Sequence, residues 1–229
     1  MLRHLLFDLD ETLYSPQTGL WPLIGERITQ FIQDRLGVSP AEAQALRYRY
    51  ARDYGVTLAG LLKHHAIDAD DYLEYVHRLP LEDYLQPDLA LNAMLARLPL
   101  PKTILTNADA AHAERVLNHL GIRRHFQRII DVRALDFIYK PEPEAYRRAL
   151  ALLGAAAPEC VFIDDLARNL TPAHDLGLVT ILVRPPVEAG APSPLGAPGP
   201  DGVLPPGVDY HTPTVLGVER ILAGLIGQV

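Results

Sequence analysis

Asp8 and Asp10 stand one residue apart in the segment FDLDETLY at residues 7–14, directly after the apolar run Leu5, Leu6, Phe7. Such a run reads as a buried strand, so both carboxylates belong at its carboxyl end, where open α/β sheets bind ligands. Two carboxylates on one turn can divide the work, one attacking and the other moving protons. Attack by Asp8 on phosphorus would form an aspartyl-phosphate and split one difficult displacement into two easier ones. Asp10 can then protonate the leaving oxygen and later activate water, if its surroundings tune its pKa. Thr12 can fix the turn by local hydrogen bonding. Alone, the pattern DxDxT is more often a solvated turn. Three further segments change that reading.

Thr106 and Asn107 close the apolar run Thr103 to Leu105 within ILTNAD, and precede a helix whose free N–H groups can receive an anion. Both suit a phosphate oxygen, and the same Thr-Asn-Ala-Asp run also serves as an ordinary helix cap. Lys140 precedes Pro141 at the start of a helix patterned by Tyr146, Ala149, Leu150 and Leu153 and ended by Gly154. The chain has three lysines among 21 Lys and Arg residues, so a lysine here points to a compact ammonium that holds Asp8 ionised and neutralises developing charge. Asp164 and Asp165 end the apolar run Cys160 to Ile163, and two adjacent carboxylates at a strand tip repel unless a cation relieves them. Magnesium fits, because it takes hard oxygen ligands; Asp8, Asp10 through its carbonyl, and Asp165 form a plausible set, with Asp164 acting from behind or through water. Asn169 can brace this acidic pair or cap the helix that runs to Gly177, and the cap is the expected role.

The ordered set DxDxT, Thr-Asn, Lys and Asp-Asp resembles the haloacid dehalogenase-like hydrolase superfamily over nearly the whole chain. The resemblance implies Asp8 as nucleophile, Asp10 as acid and base, Thr106 and Lys140 as phosphate partners, and Asp165 as a direct metal ligand. The dehalogenases of that superfamily lack the second aspartate, so Asp10 points to phosphatase chemistry. The long interval between the first two motifs, residues 15–84, resembles a small helical cap inserted into a discontinuous core of residues 1–14 and 85–229. Its first helix shows Ile24, Ile28, Phe31, Ile32 and Leu36 on one face, ends at Gly37, and is followed by a second opened by Ser39-Pro40. A closing cap would exclude water and carry selectivity.

Within the insert, Tyr50, Tyr54-Gly55, Gly60-Leu61 and Leu79-Pro80-Leu81 resemble pyrimidine 5′-nucleotidases, implying UMP or CMP as substrate; Glu11-Thr12 departs from the first motif of that branch. Tyr50 and Tyr54 share a stripe with Leu46 and read as insert core. Tyr48 and Arg52 form another stripe that could face the site, stacking on a base and contacting oxygen. Lys63 raises the possibility of a Schiff base, although KHH reads more simply as a polar helix surface.

A net charge of -7 over 229 residues leaves no basic footprint for a nucleic acid polymer, so the expected partner is a small phosphorylated metabolite. The first strand begins by residue 4 and no apolar run approaches membrane-spanning length, which implies a cytoplasmic protein without membrane association. Cys160 is the single cysteine and reads as a buried structural thiol, and the nine histidines read as surface or satisfied core groups. Apolar runs at 4–7, 103–105, 160–163 and 179–183 alternate with helices, the signature of a doubly wound, Rossmann-like parallel sheet. A Pro/Gly-rich loop is expected at 185–207, then a short segment near 209–211 and a final helix bearing Val218, Ile221, Leu222 and Leu225. Two other readings use similar parts. A sugar-phosphate hydrolase or phosphomutase shares the whole core. A phospho-aspartate signalling domain shares the aspartate, threonine and lysine, but there the acidic pair precedes the phosphorylated aspartate, and it lacks both Asp10 and the insert.

Overall fold

The computed structural model describes residues 1–185 and 203–227. Six strands, β1 (His4–Phe7), β2 (Lys102–Leu105), β3 (Phe126–Ile130), β4 (Cys160–Asp164), β5 (Val179–Val183) and β6 (Tyr210–Thr212), form one sheet. Their order is β3-β2-β1-β4-β5-β6, and every pairing is parallel. The alternation of side chains along a strand sends Leu5 and Phe7 to one apolar cluster and Leu6 to another, and it does the same for Val161 and Ile163 against Cys160 and Phe162. The sheet is therefore covered on both faces, as its continuous apolar runs require. Cys160 is fully buried, and desolvation raises its thiol pKa to about 11, as an inert structural residue should behave.

β3 was not visible as an apolar run because Gln127 and Arg128 interrupt it. It is an edge strand, with its middle residues exposed or half-buried, so the sequence did not need to be apolar there. The remaining expected strands fall within one residue of their predicted bounds, and the segment near 209–211 becomes β6. Most of the predicted Pro/Gly loop, residues 186–202, lies outside the described residues.

The core helices are α5 (Leu89–Arg97), α6 (Ala110–His119), α7 (Pro143–Leu153), α8 (Ala167–Asp175) and α9 (Val218–Ile226). Between β1 and α5 run four more: α1 (Leu20–Leu36), α2 (Pro40–Tyr54), α3 (Thr57–His64) and α4 (Ala69–His77). α1 ends in the left-handed Gly37, whose N–H bonds Gln33 O, and α2 opens with a capping box between Ser39 and Glu42. These four helices share an apolar cluster built from Phe31, Ile32, Tyr50, Leu61, Tyr72 and Leu73, which also takes in Val132 and Tyr139 from the core. Gly60 allows α3 to meet α2, since a β-carbon there would lie 2.3 Å from the Tyr50 ring.

The insert is tied to the core along a seam. Arg115 of α6 donates to His77 O at 2.8 Å and Leu79 O at 2.7 Å. Gly55, at φ +81°, lies so close to Pro141 that a β-carbon would sit 2.9 Å from its Cδ. Among the described residues, no helix is long and apolar enough to cross a membrane.

Candidate active site

The chain order places β1 and β4 side by side at the point where successive connections diverge, and that crevice is where doubly wound sheets bind ligands. A backbone bond from Asp8 N to Ile163 O, 2.8 Å, fixes the end of β1 against β4. Asp8, Asp164 and Asp165 consequently converge, with one carboxylate oxygen of each within 4.8 Å of the others. All three are buried, and Lys140, only 2% exposed, joins them. Its Nζ donates to Asp8 Oδ1 at 2.7 Å and to Asp164 Oδ2 at 2.8 Å.

Three carboxylates against one ammonium leave excess negative charge in a desolvated place. Burial, outweighing the attraction of Lys140 and assisted by Asp164, raises the Asp8 pKa to about 7. Burial, then Asp164 and Asp8, hold Asp165 well above the usual carboxylate range. Burial alone would lower Lys140, but Asp164 and Asp8 outweigh it and hold the ammonium charged. A hard divalent cation fits this donor set, since it supplies the positive charge that Lys140 alone does not. Asp8 and Asp165 have oxygens to offer. Those of Asp164 are occupied by Lys140, by Leu166 N and by the Asn169 amide at 3.0 and 3.1 Å. Asn169 thus braces the acidic pair from within α8 and does not cap that helix, whose cap position is Leu166.

Asp10 takes a different environment. Its Oδ1 accepts from Tyr14 Oη at 2.7 Å and lies 3.0 Å from His112 Nε2, and its carboxylate is not part of the acidic cluster. Burial pushes its pKa up, but His112 and Tyr14 outweigh burial and hold it below the usual value. The two carboxylates of DxDxT are therefore driven apart in acidity, Asp8 upward and Asp10 downward. Glu11, at φ +58°, makes the left-handed turn between Asp10 and Thr12, and Thr12 Oγ1 bonds Asp8 Oδ2 at 3.2 Å.

Thr106 directly follows β2 beside the cluster, its hydroxyl accepting from Ala108 N at 3.0 Å and free to donate into the cavity it lines. Asn107 also lines the cavity, yet its side chain is already used: Oδ1 accepts from Lys140 N at 2.8 Å and Nδ2 donates to Lys140 O at 2.9 Å. Its side chain thus holds the lysine-bearing loop from the cavity wall. The first turn of α6 is likewise taken, because Asp109 accepts from His112 N and Asp131 from Ala110 N, so that helix end is not an anion site. α7 begins at Pro143, three residues beyond Lys140.

These groups line a cavity of about 290 Å³ between core and insert. Tyr48 and Arg52 do not reach it. Tyr48 is 58% exposed in an adjoining surface cleft with Trp21 and Arg47, and Arg52 is paired with Asp53. Lys63 is exposed, its Nζ 4.9 Å from the Tyr54 ring centroid. Tyr50 is core, 3% exposed, as its stripe required. The insert contributes Trp21, Ile24, Ile28, Val56, Leu58 and Leu73 instead. Sequence reasoning missed His77, His112 and Tyr14. Tyr14, one helical turn after Asp10, carried a usable spacing signal; the histidines carried none, because their partners lie far away in the chain.

Residues 2–177 match the haloacid dehalogenase-like hydrolase family. The chain belongs to this family. It is 32% identical over 192 residues to phosphate metabolism protein 8 of Saccharomyces cerevisiae, covering 75% of this chain and 58% of that protein. It is 36% identical over 108 residues to bifunctional epoxide hydrolase 2 of Rattus norvegicus, 45% of this chain and 19% of that protein. The chain thus spans less than two thirds of the length of these two relatives. A solved haloacid dehalogenase-like phosphatase from Thermococcus onnurineus superposes with a TM-score of 0.62 at 17% identity, covering 97% of this chain and 99% of that one. The L-2-haloacid dehalogenase of Xanthobacter autotrophicus gives 0.60 at 18% identity, over 98% and 99%. These superpositions show that the fold is that of the family.

Proposed function

We propose that this hydrolase cleaves phosphomonoesters through an aspartyl-phosphate on Asp8, with a pyrimidine nucleoside 5′-monophosphate such as UMP or CMP as substrate. The observation that carries the chemistry is the divergent pair Asp8 and Asp10 beside Lys140 and the acidic cluster. An Asp8 oxygen attacks phosphorus, the bond from phosphorus to the leaving oxygen breaks, and Asp10 gives that oxygen its proton. Water then attacks phosphorus while losing a proton to Asp10 and the bond to Asp8 breaks, which frees the Asp8 carboxylate and leaves Asp10 protonated; as phosphate departs Asp10 releases that proton to solvent, and it takes one up again when the next phosphate dianion binds. His112 and Tyr14 hold Asp10 ionised in the resting site, the form that receives a proton from water; an incoming phosphate dianion opposes them and favours the protonated form. Lys140 and the Thr106 hydroxyl take the phosphoryl oxygens. Magnesium, held by Asp8, Asp165 and the Asp10 carbonyl with Asp164 behind, would add charge neutralisation at the phosphoryl group.

The insert's share of the wall supports the substrate class. Apart from Thr57, Tyr72 and His77, the insert side chains that line the cavity are apolar or the indole of Trp21, and the Thr57 hydroxyl is already donated to Arg47 O. Tyr139 Oη is buried without a hydrogen-bond partner. Such walls favour a flat group with few hydroxyls, as a pyrimidine base is, over a polyol whose hydroxyls would go unpaired. A sugar-phosphate reading draws on 28% identity over 86 residues to a fructose-1-phosphate phosphatase of Escherichia coli and 22% identity over 205 residues to a glyceraldehyde 3-phosphate phosphatase of Methanocaldococcus jannaschii. Phosphate release from UMP, CMP, purine nucleotides, a sugar phosphate and an aryl phosphate, with Asp8→Asn as control, tests both. Preference for UMP and CMP, abolished by chelator and by the substitution, is the expected result. A preference for the sugar phosphate would overturn the substrate, and no release from any substrate would overturn the chemistry.

A further inference from the structure

His112, already bonded to Asp10, stacks on His77 of the cavity wall, and the chemistry above gives that pairing no task. His112 is the third residue of α6, 1% exposed, with its backbone N held by Asp109 Oδ1 at 2.7 Å. Its Nε2 and the Tyr14 hydroxyl converge on a single oxygen of Asp10, at 3.0 and 2.7 Å. Because a carboxylate only accepts, Nε2 carries the hydrogen. The other oxygen of Asp10 has no hydrogen bond among the described residues, and Asp10 lines the cavity. On the face of the His112 ring lies the ring of His77, centroids 4.3 Å apart and planes within 17°. His77 ends α4 of the insert, and Arg115 grips its carbonyl from α6, three residues beyond His112.

Both Nδ1 atoms are buried without a hydrogen-bond partner, and the nearest carboxylate to His77 Nδ1, that of Asp109, is 3.6 Å away. Two imidazoles with unsatisfied outer nitrogens are poor packing, and phenyl rings would fill the same space without that cost. What a phenyl ring does not supply is the N–H aimed at Asp10.

We propose that His112 is a positioning residue: with Tyr14 it locks one oxygen of Asp10, so that the other faces the leaving oxygen of the substrate, while His77, carried on the insert, holds the His112 ring by stacking. This rests on the phosphomonoesterase reading. Correct seating of the insert thereby becomes a condition for an aligned acid, which ties enclosure of the substrate to proton transfer.

The test compares kcat/KM for an alkyl phosphate, whose leaving group needs a proton, with that for 4-nitrophenyl phosphate, whose leaving group departs without one. His112→Leu should lower the alkyl value by ~30-fold or more and the nitrophenyl value by no more than ~3-fold, the asymmetry expected when proton delivery alone is lost. His112→Gln, whose amide N–H can stand near the position of Nε2, should recover most of the alkyl activity. Equal losses on both substrates, no loss on either, or a Gln variant as impaired as the Leu variant would each overturn the proposal. Should His112→Leu not fold, Tyr14→Phe removes the other donor to the same oxygen and must show the same asymmetry for the proposal to stand. A wild-type protein inactive on both phosphates would overturn the phosphomonoesterase reading itself, and this inference with it.

Discussion

Magnesium should stabilise this protein strongly at pH 7.5 and weakly at pH 5, because the acidic cluster holds protons in one condition and needs a cation in the other. In the folded protein Asp8 titrates at about 7, against 3.8 for an ordinary aspartate, with burial as the first cause and Asp164 adding to it against the pull of Lys140. A raised carboxylate means that the folded state binds the extra proton, so its contribution to stability is fully present below pH 3.8 and is lost as pH rises through about 7. At 1.36 kcal/mol per pH unit, that displacement corresponds to about 4 kcal/mol. A divalent ion held by Asp8 and Asp165 beside Asp164 offsets the cost of ionisation, and at a hundredfold excess over its Kd it contributes about 2.7 kcal/mol. For a chain of this size 1 kcal/mol moves Tm by about 2–4 °C, so Tm should rise by roughly 5–10 °C with magnesium at pH 7.5. At pH 5 Asp8 is protonated and the rise should be less than half as large. Thermal melts at the two pH values, with and without magnesium, decide the matter. Equal rises at both, or none at pH 7.5, would show that the carboxylates do not carry the charge described here.

Three substitutions probe the rest of the site. Lys140→Met leaves buried carboxylates without their ammonium, and denaturant unfolding in chelator should show a loss of about 3–5 kcal/mol, partly recovered by magnesium. Asn169→Ala removes both bonds from its amide to Asp164; kcat should fall by about tenfold or more with KM little changed, as when a group that orients a functional side chain is lost. Gly55→Ala forces a β-carbon against Pro141 at a positive φ, and it should lower stability by about 1–3 kcal/mol and raise KM through a displaced insert. A wild-type Tm and KM for that variant would show that the insert seats without this contact.

Much of the site was legible because its parts are local. Asp8, Thr106 and Asp164 each follow an apolar run, and continuous burial along β1 and β4, with alternate side chains in two apolar clusters, makes such a run a strand in a sheet covered on both faces. The turn between α1 and α2 was equally plain, since Gly37, Ser39 and Glu42 act on backbone groups within three or four residues of themselves. Helices between β1 and α5 were visible as an interval too long for a crossover, filled with helical periodicity.

What the sequence did not contain was any term linking residues distant along the chain. Nothing local to Asn107 shows that its amide holds the Lys140 backbone. Asn169 looked like a cap because Asp164, its partner, is reached only when α8 packs back on β4. Tyr48 and Arg52 had the right chemistry on a helix surface, and the packing of α1 against α2 sets which surface meets the cavity. His77 and His112, 35 residues apart on insert and core, acquire meaning only across the seam that Arg115 and Gly55 close. Backbone propensity and side-chain periodicity act over a few residues and so are written in order along the chain; desolvation, ion pairing and stacking act through space, and tertiary structure alone decides who meets whom.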